Sequence, residues 1–567
     1  MGWGLYVPHC SLPLWSRVLS LQLRFAVATQ FKPLSLSLSL SLSNQFNFLS
    51  LFLSLSKLKI SQPTILSSLA TTGKHQQSGT DRSDAMTVSQ TAVSMATGLV
   101  FLAVVNGVWS MEQPNILYLV ADDMRSELNT YGHHFMITPN LDALAASGLQ
   151  FDFASTQFAY CAPSRNSHFS LQSFMTGRRP DRTGCLNFMH KFRDFHPNWT
   201  TMPEFFKDRG YFTTSAGKIY HDGMDDPKSW SYPSNQTAWI QCGAGDETGQ
   251  FNNYCGITNS SANPYTDEDL ALTEGLKRLE LAVNSGQPWW VSIGVHRPHA
   301  PYRVPAGFYG PEVYPPGSND AVQSPKHPGP ATDGPFMAGN WNDGDITDPA
   351  HGCPTCIIPS NRTDEYRRWY MAAITYSDHM LGQALQKLEE LGQANNTIVV
   401  FHSGGPLSNE ATLNEWSKKT DSELAVHVPL IIRVPWKPSS QGQRTIVKAE
   451  LVDLYRTLAE LAGFNQDQVS QCNSNACAYV DVSQFDYIGY TIRDHNYRYT
   501  AWVPFDNSTM RVDWSRLQAE ELYDLSDFDG RDFDYDGIYG NVAGNSTHQA
   551  TVKRLRQALE AAVATWH

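Results

Sequence analysis

The 567-residue sequence predicts an α/β protein, with a large, mostly parallel sheet flanked by helices and a smaller α+β domain behind it. Three observations carry this. Residues 115–120, 289–295 and 397–401 are short continuous apolar runs, the pattern of strands buried on both faces. Long helical patterns over residues 266–283 and 364–391 precede the second and third runs, and such alternation builds a parallel sheet. Beyond Phe464 the segments shorten to an aromatic, β-favouring stretch at 487–499, an acidic loop rich in Asp and Tyr, and a closing helix over about 549–565.

From the start of the chain, residues 1–85 form an extension in which Leu and Ser alternate over 35–43, and no fold is expected for it. Residues 86–110 read as a secretory signal peptide, with a polar lead at Met86 and an apolar run over 95–105. That run is shorter than the roughly 20 residues a spanning helix needs, so no stable membrane span is expected. The lead lacks Lys and Arg, and Met86 is taken as the true start. Seven NxS/T sequons, at Asn198, Asn235, Asn259, Asn361, Asn395, Asn507 and Asn545, agree with the secretory pathway, lysosomal or extracellular. So do cysteines close enough to staple local loops: Cys242 with Cys255, Cys472 with Cys477, and Cys353 with Cys356. A zinc reading of the last pair lacks a second ligand pair at suitable spacing. Residues 111–465 are assigned to a catalytic domain and 466–567 to the α+β domain.

The net charge of −13 argues against sequence-independent nucleic-acid binding, which needs a basic face. A local basic pocket can still hold a small anion.

The first strand ends at Asp122 and Asp123, and ligands of open α/β sheets bind at the carboxyl ends of strands. Paired carboxylates there are hard oxygen ligands suited to calcium or magnesium, although the same pair also occurs as a solvated turn or helix cap. Residues 138–148 follow with a helix start at Thr138 and Pro139, helical apolar spacing and a glycine stop at Gly148. Lys218 and His221 stand three apart after Gly217 and reach one anion if the backbone turns there. His296, Arg297, Pro298 and His299 follow an apolar strand directly, while Lys418 lies in Trp416 Ser417 Lys418 Lys419 Thr420. Each of these residues has an ordinary structural or solvated reading when taken alone.

Cys161 opens Cys161 Ala162 Pro163 Ser164 Arg165, and Thr176 Gly177 Arg178 follows. With Asp122 and Asp123 before it, this run resembles the signature of the sulfatases of the alkaline phosphatase superfamily, in particular their iduronate 2-sulfatase branch. Supporting matches are Gly177 to Asp181 (GRRPD), His296 to Arg303 (HRPHAPYR), Tyr497 to Thr500 (YRYT) and Glu521 to Tyr523 (ELY). The resemblance implies an alkaline phosphatase-like α/β fold and sulfate-ester hydrolysis, with sulfated sugars or glycosaminoglycans as substrates. It also implies Cys161 oxidised to formylglycine by the formylglycine-generating enzyme. The hydrate of that aldehyde attacks sulfur with one hydroxyl and keeps the other to expel sulfate. One calcium ion would be held by Asp122, Asp123 and the converted Cys161. Arg165, Lys218, His221, His296 and Lys418 would form the sulfate-binding and proton-transfer set.

Two departures stand out. Where the family carries Ser Asp His Gly or Ser Asp Asn Gly, this chain has Ser403 Gly404 Gly405 Pro406, and glycine has no side chain to ligate with. His402 and Asn409 are near, but neither is a secure replacement, since one strand step moves a side chain to the other face. His168 to Ser173 interrupts the signature, and six extra residues turn a helix by roughly 240°. A weak sulfatase, a binder of sulfated polysaccharide, and a phosphoester or phosphonate hydrolase remain the alternatives.

Overall fold

The computed structural model describes residues 18–24, 35–41, 113–157, 173–179, 192–220, 225–236, 247–248, 254–257, 267–309, 313–314, 325–329, 331–335, 338, 359–406, 420–464, 487–506, 509 and 511–566. Seven strands form the main sheet: β1 (Asn115–Asp123), β2 (Leu149–Ser155), β3 (Phe212–Gly217), β4 (Trp289–Pro298), β5 (Thr397–Pro406), β6 (His427–Arg433) and β7 (Gln443–Glu450). Their order is β7–β2–β6–β5–β1–β4–β3, and only β6 runs against the others. The predicted mostly parallel sheet is therefore present. β6 carries Pro429, a residue that argues against a central strand. The ladder accommodates it by a register shift between Val428 and Leu430.

The two-sided burial expected of continuous apolar strands is visible along β1. Leu117, Leu119 and Ala121 join one core, and Ile116, Tyr118 and Val120 join the other, because successive side chains of a strand alternate faces. The first core is closed by helices α1 (Pro139–Ala146), α3 (Asp267–Asn284) and α4 (Ser360–Glu390), and the second by α2 (Met202–Lys207) and α5 (Leu454–Leu461). α3 and α4 cover the two long helical patterns of the sequence. α1 starts where Thr138 and Pro139 place it, but Thr138 does not cap it with its side chain. That hydroxyl is engaged by Asn129 N and Asp142, and Asp378 on α4 accepts from Asn140 N at 3.2 Å and Leu141 N at 2.7 Å instead. Burial, opposed by these hydrogen bonds, pushes the Asp378 carboxyl up to about 6.

The aromatic, β-favouring stretch at 487–499 spans parts of two strands. β8 (Tyr487–Arg493) and β9 (Tyr497–Asp506) form a hairpin, turned at Asp494, whose Oδ1 accepts from Asn496 N and Tyr497 N. With β10 (Arg511–Val512) and β11 (Ala519–Asp524) they make an antiparallel sheet. α6 (Gln549–Trp566) covers it through Val552, Leu555, Leu559 and Val563, a helical stripe.

Residues 6–111 make a separate unit. Among its described residues, Ser35–Ser41 pairs antiparallel with Val18–Arg24. Alternating Leu and Ser is itself a strand period, which the low-complexity reading did not weigh. No helix among the described residues is long and apolar enough to cross a membrane.

Candidate active site at the carboxyl edge of the sheet

β1 delivers two buried carboxylates at its end, Asp122 with no exposure and Asp123 with 3%. Asp123 adopts φ +58°, uncommon for a residue with a side chain, and such backbone persists only where its surroundings hold it. Tyr370 on α4 supplies that hold: its hydroxyl donates to the Asp123 carbonyl at 2.7 Å and accepts from Arg125 N at 2.9 Å. Ser403 on β5 adds a second brace, its Oγ accepting from Met124 N at 2.9 Å. The turn bearing the carboxylates is thus fixed by one residue from a helix and one from the neighbouring strand.

β3 ends at Gly217 with φ +69°, and a Cβ there would meet the Gly294 carbonyl oxygen at 2.0 Å. Only glycine permits this close turn. It sends the buried Lys218 ammonium to within 2.7 Å of Asp122 Oδ2. β4 extends through His296, Arg297 and Pro298, and His296 is buried at its carboxyl end.

His299, which was given no role from sequence, approaches Asp123 instead, with Nε2 3.5 Å from Oδ2. Its other nitrogen lies 2.6 Å from the Ala300 carbonyl, and Arg297 Nη1 donates to the His299 carbonyl at 2.7 Å. The available signal was the i, i+3 histidine pair of the HRPH run. Ligand atoms of Asp122, Asp123 and His299 all lie within 4.8 Å of one another. Two carboxylates at a strand end fit a hard divalent cation such as calcium, for which oxygen is the preferred donor. His299 is the less suited member of the set.

His402 does not replace the missing ligands. Its Nε2 lies 2.7 Å from the Tyr118 hydroxyl and its Nδ1 2.6 Å from the Ser403 carbonyl, with the ring fully buried. Between β5 and β1 the register pairs Ser403 with Ala121 and Pro406 with Asp123. Gly404 and Gly405 therefore stand as a two-residue bulge opposite the single residue Asp122. Cys161, Arg165, His221, Lys418 and Asn409 lie outside the described residues, as does most of the 168–173 insert, of which Ser173 begins a short buried helix, Ser173–Thr176. Cys255 is disulfide-bonded. Its partner lies outside the described residues, since Cys255 is the only described cysteine.

Residues 114–464 match the profile of the family described as Sulfatase. The chain belongs to the sulfatase family. Among curated sulfatases, iduronate 2-sulfatase of Homo sapiens is 29% identical over 501 residues, spanning 72% of this chain and 88% of its own. Iduronate 2-sulfatase of Mus musculus is 29% identical over 532 residues, spanning 78% and 93%. Among solved structures, a 2-O GAG sulfatase superposes with a TM-score of 0.56 at 16% identity, covering 80% of this chain and 92% of its own. The phosphonate monoester hydrolase of Agrobacterium radiobacter does so with 0.53 at 18% identity, covering 80% and 96%. At these identities the structures establish the shared fold alone. It is the fold that the signature around Cys161 implied for a sulfatase.

Proposed function

We propose that this chain is a sulfuric ester hydrolase acting on a sulfated sugar in the secretory pathway, lysosomal or extracellular. The observation that carries the reading is the buried carboxylate pair Asp122 and Asp123 with Lys218 against it, on a chain of sulfatase membership. Cys161, converted to formylglycine by its generating enzyme, is the nucleophile in this reading, and Arg165 and His221 share the sulfate with Lys218. Asp122, Asp123 and Cys161 would hold a calcium ion, which when bound neutralises sulfate oxygens and polarises sulfur toward attack.

The remaining tasks belong to the protein. Lys218 brings a positive charge to the same pocket, against Asp122, and its exclusion from water strengthens that charge's interactions. His296 or Lys418 protonates the departing alcohol oxygen, which would otherwise leave as an alkoxide. Aryl sulfate, a phosphate monoester and a phosphonate monoester offered to the same enzyme with calcium distinguish the reaction classes. Turnover of the sulfate above the other two is expected, and the reverse order sinks the sulfate assignment.

The Gly404–Gly405 bulge favours a weakened catalyst, because it removes acidic oxygen where the ladder faces Asp122. Gly404→Asp should raise calcium affinity about 10-fold or more, the scale on which metal-site partners act. Calcium titration of both proteins, read by calorimetry and by aryl-sulfate rate, checks this. Unchanged affinity would mean that the bulge does not limit the site.

A further inference from the structure

The two faces of the C-terminal sheet differ in kind. Side chains alternate along a strand, so Tyr499, Ala501 and Val503 of β9 pack under α6, while Arg498, Thr500 and Trp502 take the opposite face, in register with Gly489, Thr491 and Arg493 of β8 and Glu521 of β11. Residues 420–423, which lead into β6, dock on that second face at two places. Glu423 is gripped by Arg493 and Arg498. Asp421 lies over Gly489, where a Cβ would meet Asp421 Oδ2 at 2.6 Å and Trp502 Cζ3 at 2.8 Å, so the missing side chain makes room for the carboxyl.

We propose that Asp421 and Glu521 form an acid-closed latch, in which a proton held between the two carboxyls keeps the segment entering β6 seated on the C-terminal sheet, and loss of that proton loosens the seat. The segment continues from Lys418, three residues before Asp421, so the latch adjoins a predicted site residue. Neither the latch nor its test depends on the ester hydrolysis proposed above.

Asp421 and Glu423 stand two residues apart and meet opposite conditions. The guanidinium groups on this face are committed to Glu423, whereas Asp421 makes no ion pair with any described residue and its Oδ2 is buried without a hydrogen bond. The charges that bear on Asp421 are Glu521, of like sign, and Arg498. Glu521 is buried as well, and its partners carry no positive charge: Trp502 Nε1 donates to Oε1 at 2.7 Å and the Tyr523 hydroxyl to Oε2 at 2.5 Å. Across the cavity that Asp421 borders, Arg179 pairs with Glu450, Asp453 adds another acid, and the Lys448 ammonium rests 3.4 Å from the centre of the Phe153 ring. Two buried carboxyls whose nearest arginine is held elsewhere do not both ionise without cost.

Burial and Glu521, opposed by Arg498, push the Asp421 carboxyl up to about 7, and burial raises that of Glu521 too. The folded value of Asp421 lies above the unfolded one of about 3.9, so between the two the folded chain holds a proton that the unfolded chain has released. Stability from the latch therefore falls as pH rises through that window and levels off above it.

Chemical unfolding of the chain expressed from Met86 tests the latch, with wild type and Asp421→Asn compared at about pH 5 and about pH 8. The amide stands in for the protonated acid at every pH. The unfolding constant of wild type divided by that of the variant should rise by about 10-fold or more between the two conditions. Asp378 and Asp453, each pushed up to about 6 chiefly by burial, titrate alike in both proteins and cancel in the ratio. Glu521→Gln removes the like charge and leaves Asp421 in place, and its ratio should rise in the same sense. At about pH 8, amide exchange of peptides over 420–426 and 487–493 should be faster in wild type than in Asp421→Asn. A ratio that stays level or falls with pH for either variant, or equal exchange of those peptides, would overturn the proposal.

Discussion

Asp122→Asn lowers kcat/KM for an aryl sulfate by about 100-fold or more, the scale of losing a central charge-stabilising contact. The residue is fully buried, stands opposite the glycine bulge in the ladder, and has its carboxylate 2.7 Å from the Lys218 ammonium. The amide cannot carry the charge that Lys218 and a divalent cation both meet there. The substitution also leaves a buried ammonium beside a neutral partner, so stability falls by about 3–5 kcal/mol. The D122N/K218M double variant separates the two losses. Replacing a buried ion pair by groups without charge is often neutral, so the double variant recovers the wild-type melting temperature but not the turnover. Recovery of turnover together with stability would show that Asp122 serves folding alone.

Glu423→Gln has the largest expected effect on stability, about 3–5 kcal/mol. Glu423 opens the short helix Glu423–Val426 before β6 and is 5% exposed. It accepts from Arg498 at 2.7 and 2.8 Å and from Arg493 at 3.1 Å, so one carboxylate ties the main sheet to the hairpin of the C-terminal sheet. Burial alone would raise its pKa, but Arg498 and Arg493 outweigh burial and hold the carboxyl well below its usual range. The folded-state pKa is thus depressed. The stabilisation is complete above the unfolded value of about 4.3 and is lost only as pH falls through the folded one. Wild-type stability should therefore keep this contribution at about pH 5, within the acidic range of a lysosome. Chemical unfolding of both proteins at about pH 5 and pH 7 checks this. A variant as stable as wild type at both values would contradict the role given to Glu423.

The elements legible in the sequence were those with long or continuous apolar patterns. β1, β4 and β5 follow from short continuous apolar runs, and α3, α4 and α6 from long helical spacing. β6 was hidden by Pro429, whose missing donor is tolerated at a bulge that only the ladder reveals. The hairpin at Asp494 was marked in the sequence by the turn formers Asp494 and Asn496, whose weight the surrounding aromatic run masked; Asp494 accepts from Asn496 N and Tyr497 N there. In the site, Asp122 and Asp123 were readable from the end of β1, while Lys218 was singled out by its spacing to His221 and by the sulfatase resemblance. The approach of His299 was not, because it depends on how the chain leaves β4. Nor could spacing show that Gly404 and Gly405 face Asp122, which requires the register between β5 and β1.

Hydrolysis by this sulfatase-family chain is proposed to run through a modified Cys161 beside the Asp122–Asp123 pair. Its most direct test is the chain expressed from Met86 in cells able to make formylglycine, with the mass of the Cys161 peptide and the calcium-dependent rate of aryl-sulfate hydrolysis measured on one preparation. Conversion of Cys161 and a rate that rises with calcium are expected. Full conversion without turnover, at any calcium concentration, would contradict this route.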